Sequence, residues 1–159
     1  MNDTPLFGKM KISQKLFYFF FITLASVSIS FQSCNPAKGM VAQDAESLES
    51  FNILKTDAIS IMKKGAKSYS AMAPQINEYK AKMDDQLEYE RAKGEKNLTT
   101  VQMLELISNP DGNLLGGFFK RWEDEGKLNG PFIKEAAGQV SKNFGKIINL
   151  EKKKKKPKM

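Results

Sequence analysis

The residues that could do chemistry in this chain are few. Cys34 is the only thiol and there is no histidine. The usual general base, the usual metal ligand and every Ser-His or Cys-His nucleophile pair are therefore excluded. One cysteine can form neither an intramolecular disulfide nor a cysteine-based zinc or iron–sulfur site. Seven of the 18 acids fall in two clusters, Asp84, Asp85, Glu88 and Glu90, and Glu123-Asp124-Glu125. Paired carboxylates act as acid and base only when burial drives their pKa values apart. These sit among Lys and Arg and are expected on solvated helix faces. Asn109, Asp111 and Asn113 offer oxygen at alternate positions, but the later Gly and terminal Glu of an EF-hand loop are missing, so a turn is expected. No catalytic residue, metal ligand or cofactor follows from these residues, and the expectation is a protein that is not an enzyme.

What positions the lone thiol is more informative. Lys9, Lys11 and Lys15 precede a charge-free run from Leu16 to Phe31, which turns small and polar at Gln32-Ser33 before Cys34. A basic start, a short apolar stretch and a small-residue exit are the parts of a secretory signal. The run spans about 24 Å as a helix, short of a hydrocarbon core of about 30 Å. Phe31-Gln32-Ser33-Cys34 resembles the lipobox of bacterial lipoproteins, with a Bacteroidota-like Ser before the Cys. The resemblance covers the first 34 residues and implies acylation of Cys34, cleavage just before it, and a membrane anchor. It places the protein outside the cytoplasm, periplasmic or at the cell surface, with the outer membrane expected over the inner.

The expected organisation is a signal peptide over 1–33, a lipidated tether over 34–44, a helical domain over 45–150 and a disordered Lys-rich tail over 151–159. Phe51, Leu54, Ala58, Ile61, Gly65, Tyr69, Met72, Ile76, Tyr79, Met83 and Leu87 recur at the α-helical period. Because the stripe keeps phase across Pro74, one long helix kinked at that residue is expected. Gly94 should stop it. Three shorter helices follow. Thr99 and Gln102 have capping-box spacing ahead of Val101–Ile107. Leu114, Leu115, Phe118, Phe119 and Trp122 form one face of the next, and Asn129-Gly130-Pro131 opens the last, with its stripe Ile133, Ala136, Ala137, Val140, Phe144, Ile147 and Ile148. No alternating strand pattern appears. The fold class is all-α: a small helical domain, one long Pro-kinked helix packed by about three shorter ones.

Leu98-Thr99-Thr100-Val101-Gln102 also resembles the Leu-Thr-x-x-Gln motif of the small periplasmic helical chaperones related to Spy and CpxP. That resemblance covers five residues and implies holdase-like activity, whereas the capping box accounts for the same letters.

Two binding surfaces are suggested. Lys152, Lys153, Lys154, Lys155, Lys156 and Lys158 could contact an anionic lipid or polymer. Residues 34–151 carry a net charge of −1, so the basic pI belongs to this Lys-rich segment and no nucleic-acid-binding face is expected. Phe118, Phe119 and Trp122 could be either core or a patch for a protein partner, with the Gly116-Gly117 pair allowing close approach. The expected function is a non-enzymatic helical lipoprotein of the cell envelope that binds a protein partner or surface polymer. The alternative is a holdase-like periplasmic chaperone.

Overall fold

The computed structural model describes residues 41–156. The signal segment, Cys34 and Lys158 lie outside the described residues. Five α-helices make up the domain: α1 (Ala45–Met62), α2 (Tyr69–Ala92), α3 (Leu98–Ser108), α4 (Leu115–Glu125) and α5 (Gly130–Lys153). Among the described residues there is no strand, and the all-α class is as expected.

One core joins all five helices. Phe51, Leu54, Ala58 and Ile61 face it from α1, Met72, Ile76, Tyr79, Met83 and Leu87 from α2, and Val140, Phe144, Ile147 and Ile148 from α5. These are the stripes visible in the sequence. α1 packs most extensively on α5 and next on α2.

The expected single long helix is instead two. The chain reverses over 63–68, and α2 returns antiparallel beside α1, with the Tyr79 hydroxyl donating to the Leu54 carbonyl (3.2 Å). The reversal is stable because its polar groups have partners on the α4–α5 connection. Leu128 N–H donates to the Gly65 carbonyl (2.9 Å), Tyr69 N–H to the Gly126 carbonyl (2.8 Å) and Trp122 Nε1–H to the Lys67 carbonyl (3.0 Å). A helix end needs such acceptors and donors, and here they come from residues far along the chain. Gly65 stays in phase with the stripe because it is buried: a Cβ there would lie 3.0 Å from Ile133 Cδ1.

Pro74 is not the break. It is exposed, five residues into α2. It removes a backbone hydrogen bond from that helix, so Pro74→Ala is expected to stabilise the domain, by at most about 3 kcal/mol. A chemical denaturation midpoint that falls for this variant would contradict the placement.

The α3 start also differs from expectation. Its N-cap is Asn97, and Thr99 is an exposed residue inside the helix, so the Thr99–Gln102 capping box does not form. A 3₁₀ turn, Glu95–Asn97, runs directly into α3 and supplies backbone acceptors there, including Gly94 O for Asn97 N–H (2.9 Å). Gly94 (φ 81°) and Gly126 (φ 73°) both adopt the left-handed conformation that glycine tolerates best, ending α2 and α4 where the sequence places stops. The Asn129 side chain caps α5 by accepting from Phe132 N–H (2.9 Å).

Candidate functional site

Two features stand out beyond the core. The first is a groove of about 570 Å³ between α2, α3 and α4. Its floor is apolar, from Tyr79, Met83 and Leu87 of α2 and Leu115 and Phe119 of α4. Its rim carries Lys80, Asp84, Arg91, Glu105, Lys120 and Glu123, so both signs of charge surround an apolar slot. The rim is partly ordered by its own pair, Arg91 with Glu105 (2.7 Å), whereas Lys120 pairs with Asp124 (2.6 Å), which does not line the groove. The Tyr79 ring meets Phe119 edge-on at 6.0 Å. Burial pushes the Tyr79 phenol far above its ordinary pKa, with the negative charge of Asp57 adding to the effect, so it is a neutral hydroxyl and not a base.

Gly116 lines the groove, and Gly117 next to it does not. A Cβ at Gly116 would meet the Ser108 carbonyl oxygen, and one at Gly117 the Gly112 carbonyl oxygen. These glycines let α4 start directly against the 109–112 turn, in which Asp111 N–H donates to Asn109 Oδ1 (2.9 Å). Gly117→Ala is expected to destabilise by roughly 1–3 kcal/mol or more, because backbone must move and the better helix propensity of alanine returns only about 1 kcal/mol. Thermal melting of the variant checks this.

The second feature is a polar cluster where both ends of the described chain meet. Glu90 is fully buried and is bonded by Ser47, Gln86 (2.8 Å), Lys93 (3.0 Å) and Asn97 (2.6 Å). Lys154 is buried too, donating to Asn97 Oδ1 (2.8 Å) and ion-pairing with buried Glu151 (2.5 Å). Asp44 N–H donates to the other Glu151 oxygen (2.8 Å), and the Asp44 carboxylate pairs with Lys93 (2.7 Å). Every charge in this cluster has an opposite partner, as burial requires. It reads as a clasp rather than a reaction centre.

Asp44 makes the clasp pH-sensitive. Burial alone would raise its pKa, but hydrogen bonds from Lys93 and Tyr89, the Lys93 charge and Glu46 N–H together hold it well below the usual carboxylate range. A carboxylate depressed in the folded state contributes stability above its unfolded pKa and loses it as pH falls toward the folded value. Stability should therefore fall as pH drops through about 4 and below. Asp44→Asn keeps an N-cap side chain but removes the charge, and should flatten that acid limb. Denaturation midpoints at pH 3 to 7, on both proteins, measure the difference; identical slopes would refute the assignment.

Several sequence-derived sites move. Phe118 (2 % exposed), Phe119 (2 %) and Trp122 (0 %) are core, and of the three only Phe119 also lines the groove. Their rings pack on one another and on Tyr69, Tyr79 and Phe132, and the adjacent glycines serve internal packing. Asp84, Asp85 and Glu88 are solvated as expected, but Glu90 is not, because it continues the apolar stripe of α2 one turn past Leu87. The Lys-rich segment does not begin as a disordered tail at 151: α5 continues to Lys153, and Lys154 points inward. Lys152, Lys153, Lys155 and Lys156 are exposed. Asp124 and Glu125 pair with Lys120 and Arg121 on the outside of α4.

Comparison with protein-family models, curated proteins and solved structures finds no match to this chain.

Proposed function

We propose that this chain is a non-enzymatic helical lipoprotein of the cell envelope, held by acyl chains on Cys34, that binds a protein partner in the groove between α2, α3 and α4. The observation that carries the binding half is the groove: ligand-sized, apolar on its floor and charged of both signs at its rim. A buried anchor side chain surrounded by polar contacts is how partner surfaces concentrate binding energy. The anchor half rests on the lipobox-like Phe31–Cys34 segment.

A holdase would need a broad exposed apolar face. Among the described residues the large exposed apolar side chains are Ile53, Tyr89, Leu98 and Leu106, spread over three helices. That distribution favours a dedicated binder.

Photo-crosslinkers placed at Lys80 and Lys120 on the rim, and at exposed Lys142 on α5 as a control, test the groove in cells. One discrete adduct from the rim positions and none from Lys142 is the expected result. A ladder of many adducts from all three would favour the chaperone. The anchor is tested separately by the intact mass of membrane-purified protein, expected to begin at an acylated Cys34. Two or more chains would give stable attachment, one only marginal binding.

A further inference from the structure

The fold brings the entry and exit of the described chain to one place. Gln43 N–H donates to the Lys155 carbonyl (2.8 Å), beside the bond from Asp44 N–H to Glu151 (2.8 Å). The inward Lys154 sets the register around it, so that Lys152, Lys153, Lys155 and Lys156 all face solvent. Of the acids at this end, Asp44 and Glu90 are matched by Lys93 and Glu151 by Lys154, while Glu46 and Glu95 are exposed outside these pairs. The four exposed lysines have no acidic partner among the described residues, which leaves a local concentration of positive charge where the tether joins the domain. Eight residues lie between Cys34 and Gln43, nine steps along the chain. A chain spans at most about 3.3–3.6 Å per residue, so the lysines lie beside a point no more than about 32 Å of chain from the anchoring residue.

We propose that Lys152, Lys153, Lys155 and Lys156 form a second membrane contact, to the anionic phospholipid headgroups of the bilayer that holds the Cys34 acyl chains. This deepens the lipoprotein reading and rests on it. A short tether keeps these cations near the surface, and each lysine held within a Debye length of an anionic leaflet strengthens attachment about fivefold. Four of them multiply to several hundredfold. Lipid chain and polybasic cluster acting at one end also orient the domain. Lys63, at the opposite end of α1, is then held about 27 Å further along that helix axis.

The test uses the full acylated chain reconstituted in vesicles and labelled with a membrane-impermeant amine reagent, with modification read lysine by lysine. In vesicles containing phosphatidylglycerol, the four lysines should label severalfold more slowly than in pure phosphatidylcholine. At about 1 M salt, where screening falls to about 3 Å, that protection should vanish. Lys63 and Lys127, both exposed at the opposite turns, should label equally in both lipids. Equal labelling of the four in both lipids overturns the proposal. Equal protection of Lys63 and Lys127 overturns it as well, since adsorption would then not be through this end. The intact mass of the same sample reports acylation of Cys34 independently. An unmodified thiol would sink the anchor reading whatever the lysines do.

Discussion

Lys154→Met is expected to lower the stability of the domain by about 3–5 kcal/mol, whereas Lys155→Met and Lys156→Met should leave it within about 0.5 kcal/mol of the parent. The six letters of the Lys-rich segment look interchangeable, and burial separates them. Lys154 is 4 % exposed and is the only cation among the described residues paired with Glu151, itself 1 % exposed. Removing it strands a buried carboxylate and leaves Asn97 Oδ1 without its donor. Truncation before Lys154 should cost as much. Replacing both partners, Lys154→Met with Glu151→Leu, should recover most of the loss, because an apolar pair needs no desolvated charge. Urea midpoints for the parent, Lys154→Met, Glu151→Leu and the double variant, compared as a double-mutant cycle, give the coupling directly. A Lys154→Met midpoint equal to that of Lys155→Met would mean the clasp contributes nothing.

Trp122→Ala should be as damaging, at about 3–5 kcal/mol. The indole is fully buried, packs edge-on against Tyr69 (6.1 Å) and Phe118 (5.9 Å), and donates to the Lys67 carbonyl inside the 63–68 reversal. Its loss therefore removes core volume and one of the bonds that hold α1 and α2 in their hairpin. Trp122→Phe keeps most of the packing and loses the hydrogen bond, so a cost near 1 kcal/mol is expected on that account, with some added for the smaller ring. Hydrogen exchange at the Tyr69 and Leu128 amides should accelerate in both variants, more in the alanine one. A stable Trp122→Ala protein that had only lost a binding partner would instead restore the aromatic face to the surface.

The helical stripes were legible because a 3.6-residue period needs no knowledge of partners. The α5 face from Ile133 to Ile148 and the α2 face from Met72 to Leu87 are buried as their spacing predicts. The clasp was not legible, though its trace is present. The stripes continue at helical spacing onto Ser47, four before Phe51, onto Glu90, three after Leu87, and onto Glu151, three after Ile148. A polar residue on an apolar stripe looks like the solvated end of a helix unless its partner is known. Here Ser47 and Glu90 meet across 43 residues, and Glu151 accepts from Asp44 N–H across 107. The reversal at 63–68 was hidden for the same reason, since Gly126 and Leu128 complete it. The Pro74 signal was real but local, and tertiary contacts decided where the chain turned. The groove could not be read at all, because its concavity comes from how three helices pack.

The pairing of α1 with α5 has a consequence for the order of events at the ribosome. α1 is made first, yet the helix it packs on most extensively is made last. At roughly 5–20 residues per second, the stretch from 63 to 153 takes several seconds to emerge. Throughout that interval Phe51, Leu54, Ala58 and Ile61 lack their main cover, and the contacts of Gln43 and Asp44 cannot form. The nascent chain is thereby kept from closing until its final helix exists, which leaves it threadable for the whole of its synthesis. The α1–α5 contacts and the clasp are therefore the last to become available, once residues 151–155 have been made.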